Sequence, residues 1–122
     1  MDESKVKLTP AQSGLPPVPT TKILAMGNIP TPLTLEQRRA LGHKEVSATV
    51  RLCLAGKIDQ WWYRQDGHSV VFLLNATSVD EARELLESLP FEQARLLKFD
   101  LLPLGPLSPL QVLLDHPQAA GQ

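Results

Sequence analysis

The side chains best suited to acid–base chemistry in this chain of 122 residues are His43 and Arg39. They precede Val46 and Val50 at helical spacings of three and four, which would place all of them on one face of a helix. If that face is buried, His43 is the candidate catalytic residue for proton transfer, and Arg39 is the candidate partner of a substrate carboxylate. If the helix instead starts irregularly near Gly42, both side chains reach solvent.

A second candidate site is the stretch KIDQWWYRQDGHSVVFLL, residues 57–74, in which both tryptophans and the only tyrosine are adjacent. The side-chain period of a strand places Ile58, Gln60, Trp62 and Arg64 on one face. We expect this face to bind substrate, because it combines an aromatic floor with polar groups that can orient a small ligand. The aromatic side chains could instead serve packing or subunit contacts.

The other reactive residues carry weaker signals. His68 follows the predicted Asp66-Gly67 turn, where a polar residue is expected for solvation, so a catalytic role is the lesser alternative. Cys53 belongs to an apolar helical stripe and is expected to be inert core. The sequence shows neither metal-ligand spacing nor a glycine-rich phosphate loop, so we expect no metal and no cofactor.

The composition is that of an ordinary globular protein, with 43% hydrophobic and 20% charged residues and a formal net charge of -1. The charges are scattered and supply no electrostatic footprint for nucleic acid. The apolar runs are too short to span a bilayer, and the N-terminus lacks the apolar core of a signal peptide. We therefore expect a cytoplasmic protein with neither nucleic-acid nor membrane partners.

The chain divides into three parts. Residues 1–19 are proline-rich and poor in large apolar groups, which predicts a flexible arm. Residues 20–106 carry the alternating strand and helix patterns of one domain. Residues 107–122 form a C-terminal extension and tail.

The first half of the domain predicts a strand and a long helix. The apolar run at residues 23–26 has strand length. T-L-E-Q from Thr34 is a capping box that opens the helix, and Gly56 lies where a left-handed cap would end it.

The second half predicts a hairpin, a helix and a final strand. Asp66-Gly67 between two extended runs is a strong hairpin signal. Ser78 opens a second capping box, whose helix should end at Pro90, and a strand should follow over residues 96–104. The predicted fold class is therefore α+β, a ferredoxin-like β-α-β-β-α-β order with an antiparallel sheet and two helices on one face.

The run VVFLL at residues 70–74 does not alternate polar with apolar residues, which indicates a strand covered on both faces. Two helices on one face would leave the other face bare. We therefore expect a homodimer or a larger homo-oligomer in which a second copy covers it.

Several segments resemble the muconolactone isomerase-like family of the dimeric α/β-barrel superfamily, over about residues 20–106. The segments are A-G-K-I-D-Q-W-W-Y-R at 55–64, V-V-F-L-L at 70–74, S-V-D-E-A-R-E-L-L at 78–86, L-P-F at 89–91 and F-D-L-L-P-L at 99–104. The resemblance implies ferredoxin-like subunits whose sheets pack face to face, with a pocket between each sheet and its helices.

The resemblance also implies a cofactor-independent isomerase that moves a proton to shift a double bond in a lactone acid. Trp62 aligns with a family tryptophan, and Lys44-Glu45 aligns with an Arg-Glu pair on the first helix. Val46 stands where the family has a further basic residue.

From the residues and the resemblance together, we expect a small isomerase-like enzyme that transfers a proton on an organic acid, a lactone or a polyketide-like ring. One alternative is a non-catalytic ligand-binding or oligomer-assembly subunit. Another is a cofactor-independent oxygenase, as in neighbouring branches of the superfamily. These alternatives differ over whether polar side chains converge on a pocket.

Overall fold

The structure, a computed structural model, describes residues 18–67, 69–107 and 114. Thr20–Leu104 forms one compact unit. The other described residues belong to a second unit, made of Met1–Pro19 and Gly105–Gln122. The predicted arm and C-terminal tail lie mostly outside the described residues, so both stay predictions.

The described part of the compact unit contains four strands and three helices. In chain order they are β1 (Lys22–Asn28), α1 (Leu35–Leu54), β2 (Ile58–Tyr63), β3 (Val70–Leu74), α2 (Val79–Leu86), α3 (Pro90–Gln93) and β4 (Lys98–Leu104). The strands form one antiparallel sheet in the order β2-β3-β1-β4. The predicted α+β class is confirmed, and this order is consistent with a ferredoxin-like arrangement.

The two ends of α1 follow the predicted local signals. The Thr34 hydroxyl accepts from the Gln37 amide at 3.0 Å, and the Gln37 side-chain oxygen accepts from the Thr34 amide at 2.9 Å. Gly56, just after the helix, has a φ of 77°, which a residue with a side chain rarely adopts. The helix is continuous through Gly42, so the irregular start considered as an alternative does not occur.

The β2-β3 hairpin is confirmed. The Arg64 amide donates to the Ser69 carbonyl at 2.8 Å, and the Gly67 amide donates to the Arg64 carbonyl at 3.0 Å. Gly67 has a φ of 79°, which accounts for glycine in the turn. Ser69 also has a positive φ, 139°, although it carries a side chain.

The second helix is shorter than predicted. The Ser78 hydroxyl caps α2 by accepting from the Glu81 amide at 3.1 Å, but α2 ends at Leu86 rather than at Pro90. Pro90 instead begins the short α3. Proline suits this position, because the N–H of the first helical residue has no hydrogen-bond partner within the helix. The final strand starts at Lys98, later than predicted, and contains Pro103 at the edge of the sheet.

The hydrophobic core lies between one face of the sheet and the helices. The strands contribute Ile23, Ala25, Phe72, Leu74 and Phe99, and the helices contribute Ala48, Ala82 and Leu86. On the other face, hereafter the open face, the register aligns Leu24, Met26, Val71, Leu73, Leu102 and Trp62. The predicted second copy on this face stays a prediction.

Candidate functional site

The buried face of α1 differs from the predicted one. Val46 and Val50 are 62% and 47% exposed, whereas Ala48 is 8% exposed and Leu52 packs against the core. The face turned toward the sheet runs through Glu45, Ala48 and Leu52 at spacings of three and four. Apolar residues are spread around much of α1, so their pattern alone did not select the buried face.

Arg39 and His43, which lie nearer the N-terminus of α1 than Val46 and Val50, are on the surface. Both side chains are exposed, and neither belongs to the described lining of the main cavity of the compact unit. Their expected burial is therefore wrong, and solvent exposure, the alternative, is what the structure shows. Their catalytic and substrate-binding roles stay predictions that this placement does not support.

The aromatic residues of β2 also face the other way from the prediction. Trp61 pairs with Phe72 and Tyr63 pairs with Val70, so both lie on the helix-covered face. Trp62 pairs with Val71 on the open face, although it also borders the cavity.

The cause is an irregularity in the β2-β3 register. Ile58 pairs with Leu74, a core residue, but Gln60 pairs with Leu73 on the open face. A bulge of this kind adds a residue to one strand and reverses the faces beyond it. Ile58 and Gln60, predicted to share a face, therefore lie on opposite faces.

Arg64 makes contacts within the protein. One guanidinium nitrogen donates to the Asn28 side-chain oxygen at 2.6 Å and to the Gly27 carbonyl at 3.0 Å. The other donates to the Asp66 carboxylate at 2.7 Å, and the side chain is 23% exposed. Arg64 thus ties the hairpin to the end of β1, while its predicted role in substrate binding stays untested.

A cavity of about 490 Å³ lies between α1, the β2-β3 hairpin and the segment around α3. This volume is in the range of small-molecule sites. Its walls include Val46 and Val50 of α1, Trp61 and Tyr63 of β2, and Phe91 of α3. Trp61 and Tyr63 are 58% and 68% exposed, so the cavity is open to solvent on the hairpin side.

Glu45 is the one charged side chain among the described residues that line this cavity. Its carboxylate accepts from the Phe91 amide at 2.9 Å, which fixes it against α3. Burial raises the pKa of Glu45 above its ordinary value; the bond from Phe91 opposes this rise, and the nearby charge of Glu92 adds to it. The site therefore holds a positioned carboxyl group that releases its proton less readily than an exposed glutamate.

The other polar groups of the cavity wall are neutral. The Thr49 hydroxyl donates its proton to the Glu45 backbone carbonyl at 2.9 Å, so this proton is already used within α1. Ser69 is 6% exposed and has the positive φ noted above. Trp61 and Tyr63, whose side chains carry an indole N–H and a phenol hydroxyl, also line the cavity. Chemically, the arrangement offers one carboxyl group for proton transfer and neutral donors for a ligand oxygen.

Sequence reasoning missed Glu45 as a candidate group. A glutamate on the sheet-facing side of a helix contradicts the simple rule that buried faces are apolar. The available signal was the alignment of Lys44-Glu45 with the Arg-Glu pair of the resembled family.

The remaining candidates add little to the site. His68 lies outside the described residues. Cys53 packs against the core, and burial raises the pKa of its thiol, which disfavours the reactive thiolate. Within the described ranges no group of three or more potential metal ligands occurs. Among the helices described here, none is long and apolar enough to cross a membrane.

Comparisons with known proteins leave the family open. No protein-family model matches the chain, and no curated protein matches it significantly. The resemblance of the quoted segments to the muconolactone isomerase-like family therefore stays an expectation, and the geometry of the cavity carries the functional interpretation.

Proposed function

We propose that the protein is a small cofactor-independent enzyme, muconolactone isomerase-like in reaction type, that moves a proton on a ring-containing ligand. Glu45, rather than the sequence-predicted His43, is the group that takes and returns the proton. The observation that supports this proposal is the Glu45 carboxyl group, held by the Phe91 amide in the wall of an otherwise apolar cavity. A carboxyl group whose pKa is raised above its ordinary value suits this chemistry, because it holds a proton more readily and can both accept and return one.

In the proposed reaction, the Glu45 carboxylate removes a proton from a carbon next to a carbonyl group. The electron pair of the broken C–H bond passes to the carbonyl, which becomes an enolate. The protonated Glu45 then returns the proton to a different carbon of the conjugated system, and the double bond shifts. The Trp61 indole and the Tyr63 hydroxyl are the candidate donors to the enolate oxygen.

The proposal includes a homodimer, or a larger homo-oligomer, of ferredoxin-like subunits whose sheets pack face to face as a dimeric α/β barrel in the cytoplasm. Its support is the open face, where Met26, Trp62 and Leu102 are 38%, 48% and 42% exposed. Contiguous apolar surface of this kind is typical of an interface. A second copy of the same sheet would cover it symmetrically.

The test is deuterium incorporation from solvent into 2-tetralone, a neutral ring ketone, and into an unsaturated lactone, followed by NMR. We expect the protein to accelerate incorporation, and Glu45→Gln to lower the rate by about 100-fold or more, the usual contribution of an acid–base group. The glutamine oxygen can still accept from Phe91, so the fold should be kept.

Glu84→Gln is the matched control. It removes an exposed carboxyl group of α2 that lies outside the described cavity lining, and it should keep most of the activity. Equal rates for Glu45→Gln and the unmodified protein would contradict the proposal. If both probes bind in the cavity but exchange no proton, the alternative of a non-catalytic ligand-binding protein is correct.

A further inference from the structure

The charges around the cavity restrict the ligands that it can accept. Its described lining contains one acidic side chain, Glu45, and neither lysine nor arginine. The remaining described lining residues are apolar, aromatic or neutral and polar. A bound ligand therefore meets a single negative charge on a largely apolar wall.

The basic side chains that could balance a ligand carboxylate lie elsewhere. Arg39 and Lys44 are exposed on α1 and do not belong to the described lining. Arg64 is bound to Asn28 and to Asp66 at the end of the hairpin. A carboxylate in the cavity would thus lose water without gaining a cationic partner from the described lining.

We infer that the cavity takes a neutral, largely apolar ring compound with an enolisable carbonyl group or a phenolic hydroxyl, and that it discriminates against carboxylates. The inference deepens the proposed function and rests on it, because it assigns a substrate class to the same cavity and the same Glu45 carboxyl group. Of the substrates expected from the sequence, it favours the polyketide-like ring and the uncharged lactone over the organic acid.

The physical basis is the interaction between like charges beside a largely apolar wall. Two carboxylates close together disfavour each other's ionisation, so an acidic ligand must either bind with a proton or bind weakly. A neutral carbonyl or phenol avoids this repulsion. Its ring can lie against the aromatic side chains of Trp61 and Phe91, and its polar end can meet Glu45.

The experiment compares two probes of nearly equal shape, the 2-carboxamide and the 2-carboxylate of tetralin. The NMR signals of the two tryptophan indole groups, Trp61 and Trp62, both of which border the cavity, report binding to the full-length protein. The measurement is made at a pH of about 8, where the acidic probe is ionised. At this pH a histidine of ordinary pKa is neutral and does not attract the acidic probe. The difference between the probes then reflects the other charges of the site.

We expect the carboxamide to bind at least about tenfold more tightly, which corresponds to about 1.4 kcal/mol. Glu45→Gln should reduce this preference to about threefold or less by removing the repelling charge, whereas Glu84→Gln, which removes an exposed carboxyl group of α2, should keep it. Equal or tighter binding of the carboxylate overturns the inference, and so does failure of both probes to bind at millimolar concentration. Deuterium incorporation does not enter this measurement, so failure of the proposed catalysis is detected separately.

Discussion

Replacing Arg64 with alanine should destabilise the fold, because the guanidinium binds three acceptors and joins the hairpin to the end of β1. It donates to the Asn28 side chain at 2.6 Å, to the Gly27 carbonyl at 3.0 Å and to the Asp66 carboxylate at 2.7 Å. A hydrogen bond to a charged group contributes about 1.5–3 kcal/mol where it is buried. The exposed Asp66 pair contributes under about 1 kcal/mol. We therefore expect Arg64→Ala to lower the free energy of unfolding by about 2–3 kcal/mol.

The assay is urea denaturation followed by circular dichroism, with the denaturant slope checked for constancy. Arg38→Ala on α1 is the matched control, because Arg38 is likewise an arginine and is exposed. It should change stability by less than about 0.5 kcal/mol. Arg64→Lys should restore only part of the loss, because an ammonium group cannot span the three acceptors as a planar guanidinium does.

The reasoning is refuted if Arg64→Ala is as stable as the unmodified protein to within about 0.5 kcal/mol. In that case Arg64 is available to a ligand, as the sequence predicted. A loss of affinity for the carboxylate probe, without a loss of stability, would be the corresponding signature.

Three further predictions concern the core, the cavity and the open face. Gly27→Ala should destabilise the fold by about 1–3 kcal/mol, because the added Cβ would lie 3.0 Å from the Val70 carbonyl oxygen. Gly42→Ala should stabilise the fold, because the added Cβ meets no atom within 4 Å and alanine favours a helix. Urea denaturation measures both changes. Burial raises the pKa of Glu45 in the folded state above its pKa in the unfolded state. The contribution of Glu45 to the free energy of unfolding therefore falls as pH rises from the unfolded-state pKa to the folded-state pKa. Glu45→Gln should therefore gain stability relative to the unmodified protein as pH rises above about 4.3, the ordinary glutamate pKa, and a constant difference would contradict this. Met26→Asp should shift sedimentation from dimer to monomer, and a monomeric unmodified protein would contradict the proposed assembly.

The features predicted correctly from the sequence depend on local chemistry. The side chains of Thr34 and Gln37 each accept a hydrogen bond from the other residue's backbone amide. These bonds form independently of how the helix packs against the sheet. Gly67 supplies a positive φ that the hairpin turn needs. Such interactions span a few residues, so strand, helix and hairpin positions followed from the sequence to within a few residues.

The orientation of the elements could not be obtained in the same way. The face of α1 depends on which side chains fit against the sheet, and the helix turns Glu45 and Ala48 inward while Val46 stays exposed. The faces of β2 depend on one register change after Ile58, which no local residue pattern announced. The site residues were misplaced for these two reasons, and the acidic group of the cavity was overlooked.

The central claim is that the Glu45 carboxyl group carries the transferred proton. The most direct test measures the rate of deuterium incorporation as a function of pH. In the same protein, the NMR signal of the Glu45 carboxyl carbon gives the pKa of the Glu45 carboxyl group. We predict that the rate rises as a single group ionises. The pKa of this group should equal the pKa of Glu45, and it should lie above the ordinary glutamate range. A rate that follows a group still titrating in Glu45→Gln would contradict this prediction.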